Sequence, residues 1–149
     1  MNRKPYAPGK IIIGRLPLGA DLLASITRIA NDEEIKAGTV AVYGSLTRLT
    51  LSSFDQATKM PSQSDWEEGM EIGSLGGTIS QFKGRSMARL SGTFARGDGS
   101  MVGGTIAIGT RVYACEVVIT ELTGGTLTRD FDPATGLPLW KDGSLLIEA

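Results

Sequence analysis

Residues 86–108 read SMARLSGTFARGDGSMVGGTIAI. The first ten, Ser86–Ala95, carry a strand signal, and Met101–Ile108 carry a second one. Between them Arg96-Gly97-Asp98-Gly99 predicts a hairpin turn, because Asp-Gly favours the positive φ such turns require. Two strands joined this tightly pair antiparallel. The signal recurs on either side. Glu71–Ser80, Val112–Leu122 and Leu127–Asp130 are further strand candidates, punctuated by Gly76-Gly77 and Gly124-Gly125.

The first half of the chain reads differently. Residues 1–9, with Pro5, Pro8 and Gly9, form an N-terminal arm, and Lys10–Leu16 is a β-branched run that predicts a strand. Pro17–Ala20 is a turn, and Asp21 follows as an N-cap whose carboxylate accepts from the free N–H groups of a first helical turn. Leu22, Ile26, Ile29 and Ala30 then recur at helical spacing, which predicts an amphipathic helix to about Asn31. Asp32–Lys36 offers one further turn and Gly38 stops it. Thr39–Ser45 and Leu46–Phe54 read as two strands. Residues 55–69 are polar and read as a long loop, in which Trp66 either covers the core edge or anchors an interface. One helix followed by a run of antiparallel strands predicts an α+β fold. It is a single domain over 1–149, an antiparallel sheet with one main amphipathic helix packed on it.

Composition narrows the chemistry. The 149 residues include 15 basic and 16 acidic groups, one cysteine and no histidine. No Ser-His or Cys-His nucleophile pair and no imidazole metal ligand can be built, and one thiol makes neither a disulfide framework nor a multi-thiolate zinc site. Acid–base work would fall to Glu, Asp, Lys or Tyr, and no pair of these stands out, which favours a binding protein over an enzyme. A net charge of −1 gives no electrostatic reason for nucleic-acid binding, whose usual footprint is a basic domain. No apolar stretch reaches the roughly 20 residues of a membrane span, and no apolar segment follows the basic N-terminus. The expected setting is the cytoplasm, with no membrane partner.

Four places could carry chemistry. Gly103-Gly104-x-x-x-x-Gly109 lacks the Lys-Ser/Thr of a phosphate loop and reads as strand glycines. Cys115 reads as a buried, inert thiol. Glu116 interrupts the apolar run Val112–Ile119 and must be paired, hydrogen-bonded, protonated, or aimed at a cavity or edge. Arg89 has the same problem in Met87-Ala88-Arg89-Leu90 and is its plausible partner. In Arg129-Asp130-Phe131-Asp132-Pro133-Ala134-Thr135-Gly136, Asp132 predicts an Asx turn rather than a metal site.

Read in order, several segments resemble the plant and prokaryote conserved (PPC) domain. They are Gly14-Arg15-Leu16 with Gly19–Leu23, Ala41–Leu46, Leu49–Phe54, Glu71–Ser80, Asp98-Gly99, Val102–Gly104, Glu116–Ile119 and Arg129-x-x-Asp132-x-x-Thr135-Gly136-Leu137. The resemblance implies a compact α+β domain, usually a homotrimer, and a family label of DNA-binding protein. It also implies a three-histidine metal site. The corresponding positions here are Arg89, Ser91 and Thr105, none of which replaces imidazole on zinc, so no metal and no cofactor are expected. The R-G-R-P hook of the plant members is absent.

Two functions follow as expectations. One is a homotrimer associating with DNA or with a protein partner. The other is a trimeric binder of a small anion, with a pocket at the former metal site formed by Arg89, Ser91, Thr105 and Glu116. Arg89 would there supply the positive charge that a metal gives relatives.

Overall fold

The computed structural model describes residues 3–141 and 144–146. In chain order the elements are β1 (Ala7–Leu16), α1 (Leu22–Asp32), β2 (Gly38–Asp55), β3 (Met60–Trp66), β4 (Met70–Phe82), β5 (Arg85–Ala95), β6 (Met101–Ile106), β7 (Arg111–Thr123), β8 (Arg129–Asp132) and β9 (Leu137–Trp140). The hairpin predicted at Arg96–Gly99 joins β5 to β6. The Arg96 N–H donates to the Ser100 carbonyl at 2.8 Å, and Gly99 takes a φ of +85°.

Seven strands form one antiparallel sheet in the order β1-β7-β2-β4-β5-β6, with β3 on β2. The first half of β2 pairs with β4 on one edge and β7 on the other. Its second half pairs with β3, while Leu51 and Ser52 meet Ile106 and Thr105 of β6. Strands β2, β4, β5 and β6 therefore close into a ring, while among the described residues β1 and β3 are each paired along one side only. The interior is filled by Val42, Leu46, Leu49, Leu51, Ile79, Leu90, Phe94, Ile106, Val112 and Ile119, all buried. Helix α1 adds Leu22, Ile26 and Ala30 to the same cluster. Burying each large side chain contributes about 1.5–3 kcal/mol. Asn31 fastens the helix end to β5: Nδ2 donates to the Ser86 carbonyl at 2.8 Å, and Oδ1 accepts from the Ser86 N–H at 3.0 Å.

Several readings of the sequence need correction. The two strands expected at 39–45 and 46–54 are one strand, because Gly44, at φ +128°, bends the chain within the sheet instead of turning it back. The long loop expected at 55–69 contains β3. That strand is exposed on both faces until Trp66, so it has none of the apolar alternation that marks a strand. The strand expected at Leu127–Asp130 is a hairpin of β8 and β9. The first strand begins at Ala7, inside the expected arm, whose first two residues lie outside the described ones. Trp66 packs against the core cluster, as one of its two readings held.

Candidate functional site

Side chains alternate across a strand, and cross-strand partners in an antiparallel sheet share a face. One face of this sheet meets the core. The other can be read as rows. Ile11, Thr120, Thr39, Thr78 and Arg89 form the first, on β1, β7, β2, β4 and β5. Ile13, Val118, Ala41, Gly76, Ser91 and Thr105 form the second, which ends on β6. Arg15, Glu116 and Tyr43 begin the third. All four sequence-predicted site residues, Arg89, Ser91, Thr105 and Glu116, therefore lie on this outer face.

They do not form one site. Arg89, Ser91 and Thr105 cluster: Ser91 is two residues from Arg89 on β5, and its Oγ lies 2.9 Å from Thr105 Oγ1 across the β5–β6 ladder. Glu116 is three strand spacings across the sheet from Arg89 and four residues along it, or about 20 Å at 4.8 Å per spacing and 3.3 Å per residue. The expected Arg89–Glu116 pair is thus excluded by geometry, and Glu116 leaves the pocket set. Its carboxylate faces solvent, which resolves the burial problem its apolar neighbours raised. Those neighbours, Cys115 and Val117, point the other way into the core.

The sequence reading missed two side chains here, Arg129 and Thr78. Arg129 comes from β8 and reaches over β4. Its Nε donates to Ser80 Oγ at 3.0 Å, its Nη1 to the Pro138 carbonyl at 3.0 Å and its Nη2 to Thr78 Oγ1 at 3.4 Å. Its guanidinium carbon also stands 5.2 Å from the Trp140 ring centroid. Thr78 is the direct cross-strand partner of Arg89. Burial, then the like charge of Arg89, pushes the Arg129 pKa below its ordinary value. The ion pairs among the described residues are Lys10–Glu33, Arg28–Asp32, Arg48 with Asp65 and Glu67, and Arg96–Glu68. Neither Arg89 nor Arg129 is in that set. The signal that could have found Arg129 is its place at the head of a charged turn, but its β4 partners, Thr78 and Ser80, lie about fifty residues upstream.

Beside this cluster a cleft of about 410 Å³ opens between β2 and β4. It exists because the ladder is interrupted between the pairs Ala41–Gly76 and Ser45–Glu71. Its exposed lining residues, Tyr43, Gly44, Gly73, Ser74 and Ser91, open it onto the outer face. The β4–β5 approach depends on glycine, since a Cβ at Gly77 would collide with the Arg89 carbonyl.

The donor set does not fit a metal. A guanidinium and two hydroxyls that hydrogen-bond each other offer no imidazole, thiolate or carboxylate. Among the described residues no three His, Cys, Asp or Glu side chains gather. Cys115 is buried, its thiol donates to the Ser45 carbonyl at 3.3 Å, and burial pushes its pKa up. Asp132 forms the predicted turn, accepting from the Thr135 N–H at 3.0 Å. Gly103 and Gly104 lie within β6 and open no helix. No described helix is long and apolar enough to cross a membrane.

A family model for the Plants and Prokaryotes Conserved (PCC) domain matches residues 3–123. Among solved structures, the chain is similar to a metal-containing protein from Archaeoglobus fulgidus. The two are 29% identical, with a TM-score of 0.89 over 95% of this chain and all of that one. It is also similar to a plant- and prokaryote-conserved protein from Pyrococcus horikoshii, at 23% identity and a TM-score of 0.90 over 97% of this chain and all of that one. A third is a candidate DNA-binding protein from Bacteroides thetaiotaomicron, at 24% identity and a TM-score of 0.81, covering 91% and 96% of the two chains. No curated protein matches the sequence.

Proposed function

Since the chain belongs to the plants and prokaryotes conserved domain family, we propose that it is a self-assembling binding protein, a homotrimer that acts in DNA association without a metal. The observation that carries the assembly is the apolar half of the outer face. Ile11, Ile13 and Tyr43 are 62%, 75% and 60% exposed. Ile13 shares its row with Val118 and Ala41, Ile11 stands in the adjoining row beside Thr120, and Tyr43 in the adjoining row beside Glu116, so the three lie together on one face of β1, β7 and β2. A three-fold ring would bury that patch against a different surface of the neighbouring copy, since rings are built from head-to-tail contacts. The Bacteroides relative's description supports the DNA association. The net charge of −1 makes it weak for a single chain, so it would depend on the assembly or on a protein partner. A free, buried thiol at Cys115 fits a cytoplasmic setting.

Light scattering tests the assembly: a trimer mass is expected, and Ile13→Asp should reduce it to that of one chain. A monomer mass for the unaltered protein overturns the assembly. A gel shift at low salt tests the DNA association, and no retardation at micromolar protein overturns direct binding.

A second reading, binding of a small anion, is favoured by one specific observation. Arg89 and Arg129 flank Thr78 with no carboxylate in ion-pair contact with either among the described residues. Thermal stabilisation by anionic metabolites, abolished by Arg89→Gln, tests it.

A further inference from the structure

The polar half of the outer face combines two features whose separation matches one kind of molecule. The first is the arginine pair. Arg129 is held from three sides, by Ser80, Pro138 and the Trp140 ring, and its remaining contact is with Thr78. Thr78 stands directly opposite Arg89. Arg129 thus meets the hydroxyl of the residue that faces Arg89, and the Arg89 charge is near enough to depress the Arg129 pKa. Like charges brought together repel, and an anion seated between them relieves the repulsion. A doubly charged group relieves it more than a singly charged one. Guanidinium forks also match the oxygen geometry of phosphate.

The second feature is the cleft. It begins at Gly76 and Ser91, one row beyond Thr78 and Arg89 on the same face. Two residues along a strand cover about 6.6 Å, the reach from a phosphate to the far side of the sugar ring that carries it. Gly76 has no side chain to wall the two features apart. The cleft is lined by hydroxyls, each shared with a neighbour: Ser91 with Thr105 at 2.9 Å and Ser74 with Thr93 at 3.0 Å. Such a pair uses one hydrogen between two oxygens, so each pair keeps a donor and several lone pairs for a ligand. Tyr43 lines the β2 side of the cleft. A volume of about 410 Å³ lies in the range of small-molecule sites and admits a pentose or hexose.

We propose that this face binds a phosphomonoester of a hydroxylated ring, a sugar phosphate or nucleoside monophosphate. The phosphate would lie between Arg89 and Arg129 at Thr78, and the ring in the cleft at Ser91. The proposal rests on the anion reading of Arg89 and gives it a ligand class.

The test is calorimetric titration of the full chain with four probes: ribose 5-phosphate, inorganic phosphate, gluconate and ribose. Ribose 5-phosphate should bind roughly tenfold tighter than inorganic phosphate and gluconate, and ribose should not bind. Arg89→Gln should abolish binding of all anions. Thr78→Val and Arg129→Gln should remove the preference for ribose 5-phosphate over gluconate. Ser91→Leu, which fills the cleft, should cut ribose 5-phosphate to the level of inorganic phosphate. Arg129 also holds the β8–β9 hairpin, so Thr78→Val and Ser91→Leu carry the test if Arg129→Gln does not fold. If no anion binds the unaltered chain, the anion reading fails and takes this proposal with it. If anions bind through Arg89 but gluconate equals ribose 5-phosphate, or Ser91→Leu changes nothing, the anion reading stands and the phosphomonoester proposal is overturned.

Discussion

The Asp21 carboxylate accepts the backbone N–H of Gly109 at 2.7 Å, although 88 residues separate the two. That is Oδ2. Oδ1 accepts the Ala24 N–H at 2.9 Å and caps α1. One side chain therefore starts the helix and pins it to the β6–β7 connection.

Replacing Asp21 should cost more than an ordinary cap. Removing a cap destabilises by about 1 kcal/mol and leaving the Gly109 N–H unpaired adds a similar amount, so Asp21→Ala should lose about 2 kcal/mol. Asp21→Ser keeps a capping oxygen but cannot serve both sites, and should lose about half as much. Urea midpoints of the two variants separate the contributions. Equal losses would mean that the cap contributes nothing, and an unchanged midpoint for Asp21→Ser that the Gly109 contact contributes nothing.

Gly44 should be nearly irreplaceable. It holds φ at +128°, and a Cβ there would collide with the Ala114 carbonyl on β7. Gly44→Ala combines backbone strain with overpacking and should cost about 3 kcal/mol. Gly14 meets nothing within 4 Å of a built Cβ, so Gly14→Ala should stay within about 0.5 kcal/mol. Thermal unfolding of the pair checks the contrast. A tolerant Gly44→Ala variant would refute the bent single strand.

Gly44 also shows where the sequence stops speaking. The cap at Asp21, the helical stripe through Leu22, Ile26 and Ala30, the turn at Asp98-Gly99 and the Asx turn at Asp132 are settled by neighbours a few residues away, and all were legible. A glycine that bends a strand carries the same local signal as one that reverses it. What decides is the pairing of β2 with β4, β7 and β6, which is remote in sequence. The site divides the same way. Arg89 was conspicuous as a charge in an apolar strand, and Ser91 and Thr105 came from the family pattern. Arg129 joins them only through the β8–β9 hairpin, and Glu116, equally conspicuous locally, sits about 20 Å from Arg89 on the same face.

Cys115 should make stability fall in alkali. Burial raises its folded-state pKa, so the folded protein holds its thiol proton after the unfolded chain has released it. The stabilisation is complete below the unfolded value of about 8.5 and is lost as pH rises through the folded value. Urea titrations between pH 7 and about pH 10 should show a decline that Cys115→Ala lessens. Fast labelling of the native thiol at pH 8 would contradict the buried state.

Three turn aspartates should act in the opposite pH range. Asp55 accepts the Thr58 and Ala57 N–H groups at 2.9 and 2.8 Å, in the β2–β3 turn. Asp98 accepts the Ser100 hydroxyl at 2.6 Å and its N–H at 2.9 Å, between β5 and β6. Asp132 accepts the Thr135 hydroxyl at 2.7 Å and its N–H at 3.0 Å, between β8 and β9. These hydrogen bonds favour the ionised form and hold all three carboxyls below the usual aspartate value. The stability they contribute is present above the unfolded value of about 3.9 and is lost as pH falls through the lower folded values. Carbon-detected NMR titration should place all three midpoints below about 3.9, and Asp98→Ala should flatten the acid limb of the stability profile. A midpoint at or above the unfolded value for any of the three would mean that its turn forms without help from the charge.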